Sequence, residues 1–104
     1  MNIVIPEEYT VGGQVQKVSF VDSLDGKLGT CCLGAGFVKI ALNFNGEKQS
    51  ETSMQNTFYH ELTHSILDTM GRSDLSADEV FVNSFSSFLL DALKSFKYKD
   101  NETV

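Results

Sequence analysis

Tryptophan is absent from this chain of 104 residues, proline occurs once, and cysteine and histidine occur only twice each. Basic side chains are also few, 8 against 14 acidic ones, for a formal net charge of -6. Each shortage excludes something. So few cations make a poor basic patch, so neither nucleic acid nor an anionic membrane is expected as a partner. No apolar run approaches the ~20 residues of a membrane span. The first residues, Met1 to Glu8, lack a basic start followed by an apolar stretch, so no secretory signal is expected and a cytoplasmic protein is the default. Cys31 and Cys32 are adjacent and would point to opposite faces of a strand. The expectation is two free thiols, one buried and one partly exposed. No second cysteine pair supplies the spacing of a zinc knuckle.

What remains is a chain of single-domain length, 1-104, with two kinds of pattern. Residues 1-47 are rich in valine, isoleucine and glycine. Ile3 to Ile5 reads as a short strand stopped by Pro6, and Gly12-Gly13 as a turn or bulge. Gln14 to Asp22 reads as a half-buried strand with Val18 and Phe20 at a spacing of two. Asp25-Gly26 is a tight-hairpin signal between Phe20 to Leu24 and Lys27 to Leu33. Gly34 to Gly36 makes another turn, Phe37 to Phe44 is the most apolar strand, and Asn45-Gly46 closes the section. The pattern predicts a small, mostly antiparallel β-meander.

The second half reads as helix. Met54, Phe58, Leu62, Ile66 and Met70 recur every four residues and predict a helix over 50-70, with Gly71 past its end. A second helix is expected over 76-97, with Ala77, Phe81, Phe85, Phe88, Ala92 and Phe96 on one apolar face. The short link between them makes the two helices antiparallel neighbours. The fold class is therefore α+β, and the tail from Lys97 to Val104 should fray.

The only two histidines stand in one motif, His60-Glu61-Leu62-Thr63-His64, in the middle of the first helix. Residues four apart on a helix share a face, about 6 Å apart along the axis. Both imidazoles can therefore bind one cation, with Glu61 beside them to take a proton from a water held there. This is the His-Glu-x-x-His zinc pattern, two ligands and a general base from about one turn. A catalytic zinc needs a third protein ligand and an open position. With no third histidine, that ligand must be a carboxylate or a thiolate. Glu79 leads, in the first turn of the helix that returns beside the first. Ser76-Ala77-Asp78-Glu79 also reads as a capping box, which would turn Glu79 back on Ser76. Asp78, Asp68 and a cysteine of the 31-32 pair are the other candidates.

These residues resemble a family. His60-Glu61-x-x-His64 followed by Glu79-x-x-Val82-Asn83-x-Phe85 is similar to the glutamate-type zincins. The likeness is greatest to the small metallopeptidase-like proteins of phages and mobile elements, including the ImmA/IrrE type. It covers residues 50 to 93, with Val82 where that group usually has alanine. The resemblance implies a zinc-dependent peptidase with His60, His64 and Glu79 as ligands and Glu61 as base. Thermolysin-like members carry an aspartate four residues after the ligand glutamate to orient a histidine. Asn83 stands there in this chain, an uncharged partner for the imidazole.

On this reading a zinc-activated water attacks a peptide carbonyl, and the substrate lies extended along the Phe37 to Phe44 strand. The oxyanion donor is open, with Tyr59, Tyr98 and Arg72 as candidates. A chain this short has no second lobe to form a deep cleft. Either a shallow edge reads the substrate or a protein partner completes the site. The alternative function is a zinc-binding interaction module with little or no turnover.

Overall fold

A computed structural model describes residues 5-99. A four-stranded sheet comes first, then a long helix laid on one of its faces, then a short helix and a second long one. The fold class is α+β, as the sequence pattern indicates. β1 (Glu8–Val11) turns at Gly12-Gly13 into β2 (Gln14–Val21), its antiparallel neighbour. β3 (Gly29–Cys32) and β4 (Phe37–Ala41) form the next antiparallel pair.

The order across the sheet corrects the expected meander. It runs β1-β2-β4-β3, and β2 pairs with β4 in parallel, Lys17 opposite Phe37 through Val21 opposite Ala41. Asp25-Gly26 does form a tight turn, with both residues at positive φ (48° and 81°) and Leu24 bridged to Lys27. The strands it joins separate beyond that bridge, because β4 lies between them. The apolar composition of β4 supplies the reason. Val38, Ile40 and Ala41 are fully buried, so this strand takes the centre of the sheet. The expected strand over Phe37 to Phe44 also breaks at Leu42. Asn43–Phe44 forms β5 and pairs with β6 (Glu47–Lys48) across the Asn45-Gly46 turn. Ile5 lies outside every strand, and the rest of the expected strand at Ile3 falls outside the described residues.

α1 (Glu51–Thr69) starts at Ser50, whose hydroxyl accepts from the Ser53 amide. Phe58 packs with Val38 and Ile40 as the core, with Tyr9, Val18, Met54 and Leu62 around it. Tyr9 meets the Phe58 ring edge-on at 5.8 Å. Met70, expected on the buried stripe, is exposed. The sides of α1 that are polar in sequence are covered instead, with Thr57, Glu61, Thr63 and Ser65 buried. Helical hydroxyls satisfy themselves on the preceding turn. Thr57 donates to the Ser53 carbonyl (2.9 Å) and Thr63 to that of Tyr59 (2.8 Å).

The second helix is shorter than expected. Ser73–Ser76 forms a separate turn, α2, and α3 runs Glu79–Ser95. Asp78 is the cap, accepting from the Phe81 amide at 3.1 Å, so no capping box forms between Ser76 and Glu79. The buried side of α3 is Val82, Ser86 and Leu90, packed against α1. The phenylalanine face expected inside is largely outside: Phe85, Phe88 and Phe96 are exposed. Lys97 to Lys99 are irregular and exposed, and the remainder of the expected tail lies outside the described residues. Among the described residues no helix is long and apolar enough to cross a membrane.

Candidate metal centre

His60 and His64 project from consecutive turns of α1 toward the first turn of α3. Their Nε2 atoms face each other at 3.2 Å. Glu79 closes the third corner, with Oε2 3.2 Å from His60 Nε2 and Oε1 3.4 Å from His64 Nε2. These three residues are a group that could hold a metal ion. Loss of the capping box is what frees Glu79 for this, since Asp78 caps α3 and the Glu79 carboxylate points across to α1.

The helix spacing explains the pair, and α2 explains the third member. After Gly71, at φ 76°, the chain turns through Ser73–Ser76 and re-enters a helix at Glu79. The same turn delivers a residue that the sequence pattern did not identify. Ser76 Oγ lies 2.9 Å from His64 Nδ1. Asn83, the expected imidazole partner, is exposed on α3 and makes no hydrogen bond to either ring among the described residues. It lines a cleft with His60 instead.

Glu61 does not join the three. It is buried, with 7% of its surface exposed, on the side of α1 toward β3. There it meets Cys31, whose thiol is pushed up to about 12, first by burial and then by the Glu61 charge. Tyr9 donates or accepts at Ser65 Oγ (2.8 Å) at the same place, and burial raises its phenol as well. Close approach of α1 to β3 depends on Gly29. A Cβ there would stand 2.5 Å from Thr57 Cγ2, 3.2 Å from the Lys39 carbonyl and 3.4 Å from Glu61 Cγ.

Two clefts meet at the motif, and His60 and Glu61 line both. The larger, about 680 Å3, runs past Leu28, Asn56, Asn83 and Ser87. The smaller, about 350 Å3, contains Thr30, Cys31, His64, Asp68 and Glu79. Lys27 lines both and, among the described residues, is the one ammonium or guanidinium group in either.

The other sequence candidates fall elsewhere. Asp78 is engaged as a cap, and Asp68 and half-buried Cys31 border the smaller cleft outside the three-residue group. Cys31 and Cys32 are both free, Cys32 being exposed. Arg72 forms a paired contact with Asp74 (3.0 and 2.9 Å), Tyr59 packs edge-on against Phe58, and Tyr98 against Phe96. None of the three lines either cleft. β4, expected as the substrate edge, is paired on both sides; the edge strand beside the histidines is β3. In comparisons with family models, curated proteins and solved structures, nothing matches this chain.

Proposed function

We propose that this chain is a small zinc-dependent peptidase, with His60, His64 and Glu79 as zinc ligands and Glu61 as general base. The observation that carries the reading is the convergence of two imidazole nitrogens and one carboxylate on a single point. Zinc bonds of about 2.0–2.1 Å in a tetrahedron set its corners about 3.3 Å apart. Here the two Nε2 atoms are 3.2 Å apart and each faces its own Glu79 oxygen, Oε2 at 3.2 Å from His60 and Oε1 at 3.4 Å from His64, with one donor atom from each residue within 4.8 Å of the others. Lone pairs on three such atoms repel unless a proton or a cation lies among them. A donor set of two imidazoles and one carboxylate, with the fourth direction open to a cleft, suits a catalytic zinc.

Zinc bound there would acidify a coordinated water and polarise a scissile carbonyl. The protein's own residues do the rest. Glu61, adjacent in sequence to His60 and facing the cleft floor, takes the proton of the attacking water and returns it to the leaving amine nitrogen. The unpaired edge of β3 receives an extended peptide by strand addition. Lys27 supplies positive charge toward the negative charge that develops on the carbonyl oxygen, the role left open by Tyr59, Tyr98 and Arg72. The shallow clefts suit an extended segment of a protein substrate, and the reading assigns the chain to the glutamate-type zincins.

The test is incubation of the zinc-loaded chain with a peptide library, beside Glu61→Gln. Elemental analysis should find one zinc per chain in both. Cleavage should fall at least about a hundredfold in the variant. One zinc per chain without any Glu61-dependent cleavage would leave a zinc-binding interaction module in its place.

A further inference from the structure

Four of the eight phenylalanines belong to α3 and its C-cap: Phe81, Phe85, Phe88 and Phe96. With Ala92 they form one stripe along the helix, at spacings of four, three, four and four. This stripe is not the side that packs on α1, which is Val82, Ser86 and Leu90. Phe85, Phe88 and Phe96 are 46%, 72% and 49% exposed. Phe81 stacks on Phe85 at 5.8 Å, and Phe96 meets Tyr98 edge-on at 6.3 Å, so a ring pair stands at each end of the stripe with Phe88 between them. Aromatic surface of this extent, left bare on a small protein, marks an interaction site.

We infer that the occupant is a second copy of the chain, packed through the same stripe with the two α3 helices antiparallel. The pattern fits itself. When the helix is turned end for end about a point between Phe88 and Leu89, Phe81 falls opposite Phe96 and Phe85 opposite Ala92. A large ring meets a small side chain twice, which lets the axes approach, and the two copies of Phe88 flank the two-fold axis. Such self-complementarity is the requirement of an isologous interface.

Charge selects the same orientation. Asp78 stands at the start of α3, and Lys97 and Lys99 beyond its end. Antiparallel pairing sets each acidic end beside a basic one and also opposes the helix dipoles. Parallel pairing would set like charges together. For a chain of net charge -6, this is a surface where self-association does not bring acidic faces together.

The experiment is sedimentation equilibrium of the full chain through the micromolar range, for wild type, Phe88→Glu and Val80→Glu. Circular dichroism establishes that each variant is folded. Val80 is 77% exposed but lies on a different side of the helix. The wild type and Val80→Glu should be dimers of similar affinity. Phe88→Glu places two like charges beside the axis, and its dissociation constant should rise at least about a hundredfold. A wild type that stays monomeric, bare or with another protein seated on the stripe, overturns the inference. So does a folded Phe88→Glu that dimerises unchanged. Neither result bears on zinc binding or cleavage, which rest on His60, Glu61 and His64 of α1 and on Glu79 on the side of α3 that faces α1.

Discussion

Ser76 Oγ sits 2.9 Å from His64 Nδ1, so α2 holds the far side of the ring whose near side faces Glu79. With Nδ1–H donating to the hydroxyl, the lone pair of Nε2 points at the other two ligand atoms. Partners of this kind fix both the tautomer and the ring angle, and their loss typically weakens metal binding by about 10–100-fold. Ser76→Ala should therefore lower zinc affinity by about tenfold in a chelator competition, with the helical signal unchanged. Asn83→Ala, which removes no hydrogen bond to either imidazole, should leave affinity within about twofold.

On the proposed reading Glu79 carries the heavier share. Four-ligand zinc sites are worth about 10–16 kcal/mol, so one protein donor accounts for about 3 kcal/mol, roughly a hundredfold in affinity. Glu79→Ala should lose that factor by calorimetry, while Asp78→Ala, which removes only a cap, should cost about 1 kcal/mol of stability and little affinity. Zinc binding to Glu79→Ala at wild-type strength would remove Glu79 from the site.

Gly29 is where the sheet and the motif helix come closest. Thr57 cannot easily turn away, because its hydroxyl is held on the Ser53 carbonyl. Gly29→Ala should destabilise the fold by about 1–3 kcal/mol in urea titration. Thr57→Ser removes the methyl that the new Cβ would strike at 2.5 Å and should recover part of that loss in the double variant.

Cys31 and Cys32 should behave as opposites toward a thiol reagent. At pH 8 a group titrating at about 12 is thiolate in only about one molecule in ten thousand. Cys32 is exposed and should react at once, and Cys31 only on unfolding. Glu61→Gln removes one cause of the Cys31 shift and should raise its reactivity. The same shift has a stability sign. A thiol that titrates near 12 in the fold and near 8.5 in the unfolded chain stabilises fully below pH 8.5. That contribution drains away as the pH rises from about 8.5 to 12, with Tyr9 shifted in the same direction. Denaturation midpoints should fall across that window, and less steeply in Cys31→Ala.

Much of the candidate metal site is legible in the sequence because it is local. His60 and His64 meet by helix geometry alone, and Glu79 follows from a short link that must bring the chain back. Ser76 is not legible, since its hydroxyl reads as a cap until a cap at Asp78 displaces it. The β3–β4 pair, whose turn is written in Gly34 to Gly36, also reads directly; Gly12-Gly13 reads as a turn, but the strand before it, Glu8–Val11, carries no clear alternation and is not marked. The place of β4 does not, because a turn signal at Asp25-Gly26 speaks only for the residues beside it. Periodicity likewise marks the phenylalanine stripe of α3 as apolar without saying what covers it. On α1 it misses that Thr57, Glu61 and Ser65 are buried as well, because this helix is covered on more than one side.

The insertion of β4 between β2 and β3 bears on how the chain folds. A turn that closes two paired strands lets them zip from the turn outward within microseconds. At Asp25-Gly26 such zipping stops at the Leu24–Lys27 bridge. The β2–β4 pairing instead closes a loop from Lys17 to Phe37, and its entropy is lost before any rung of that ladder forms. The centre of the sheet is thus the pairing with the larger closure cost, while the β3–β4 hairpin that carries Val38 and Ile40, the apolar floor of α1, is closed locally.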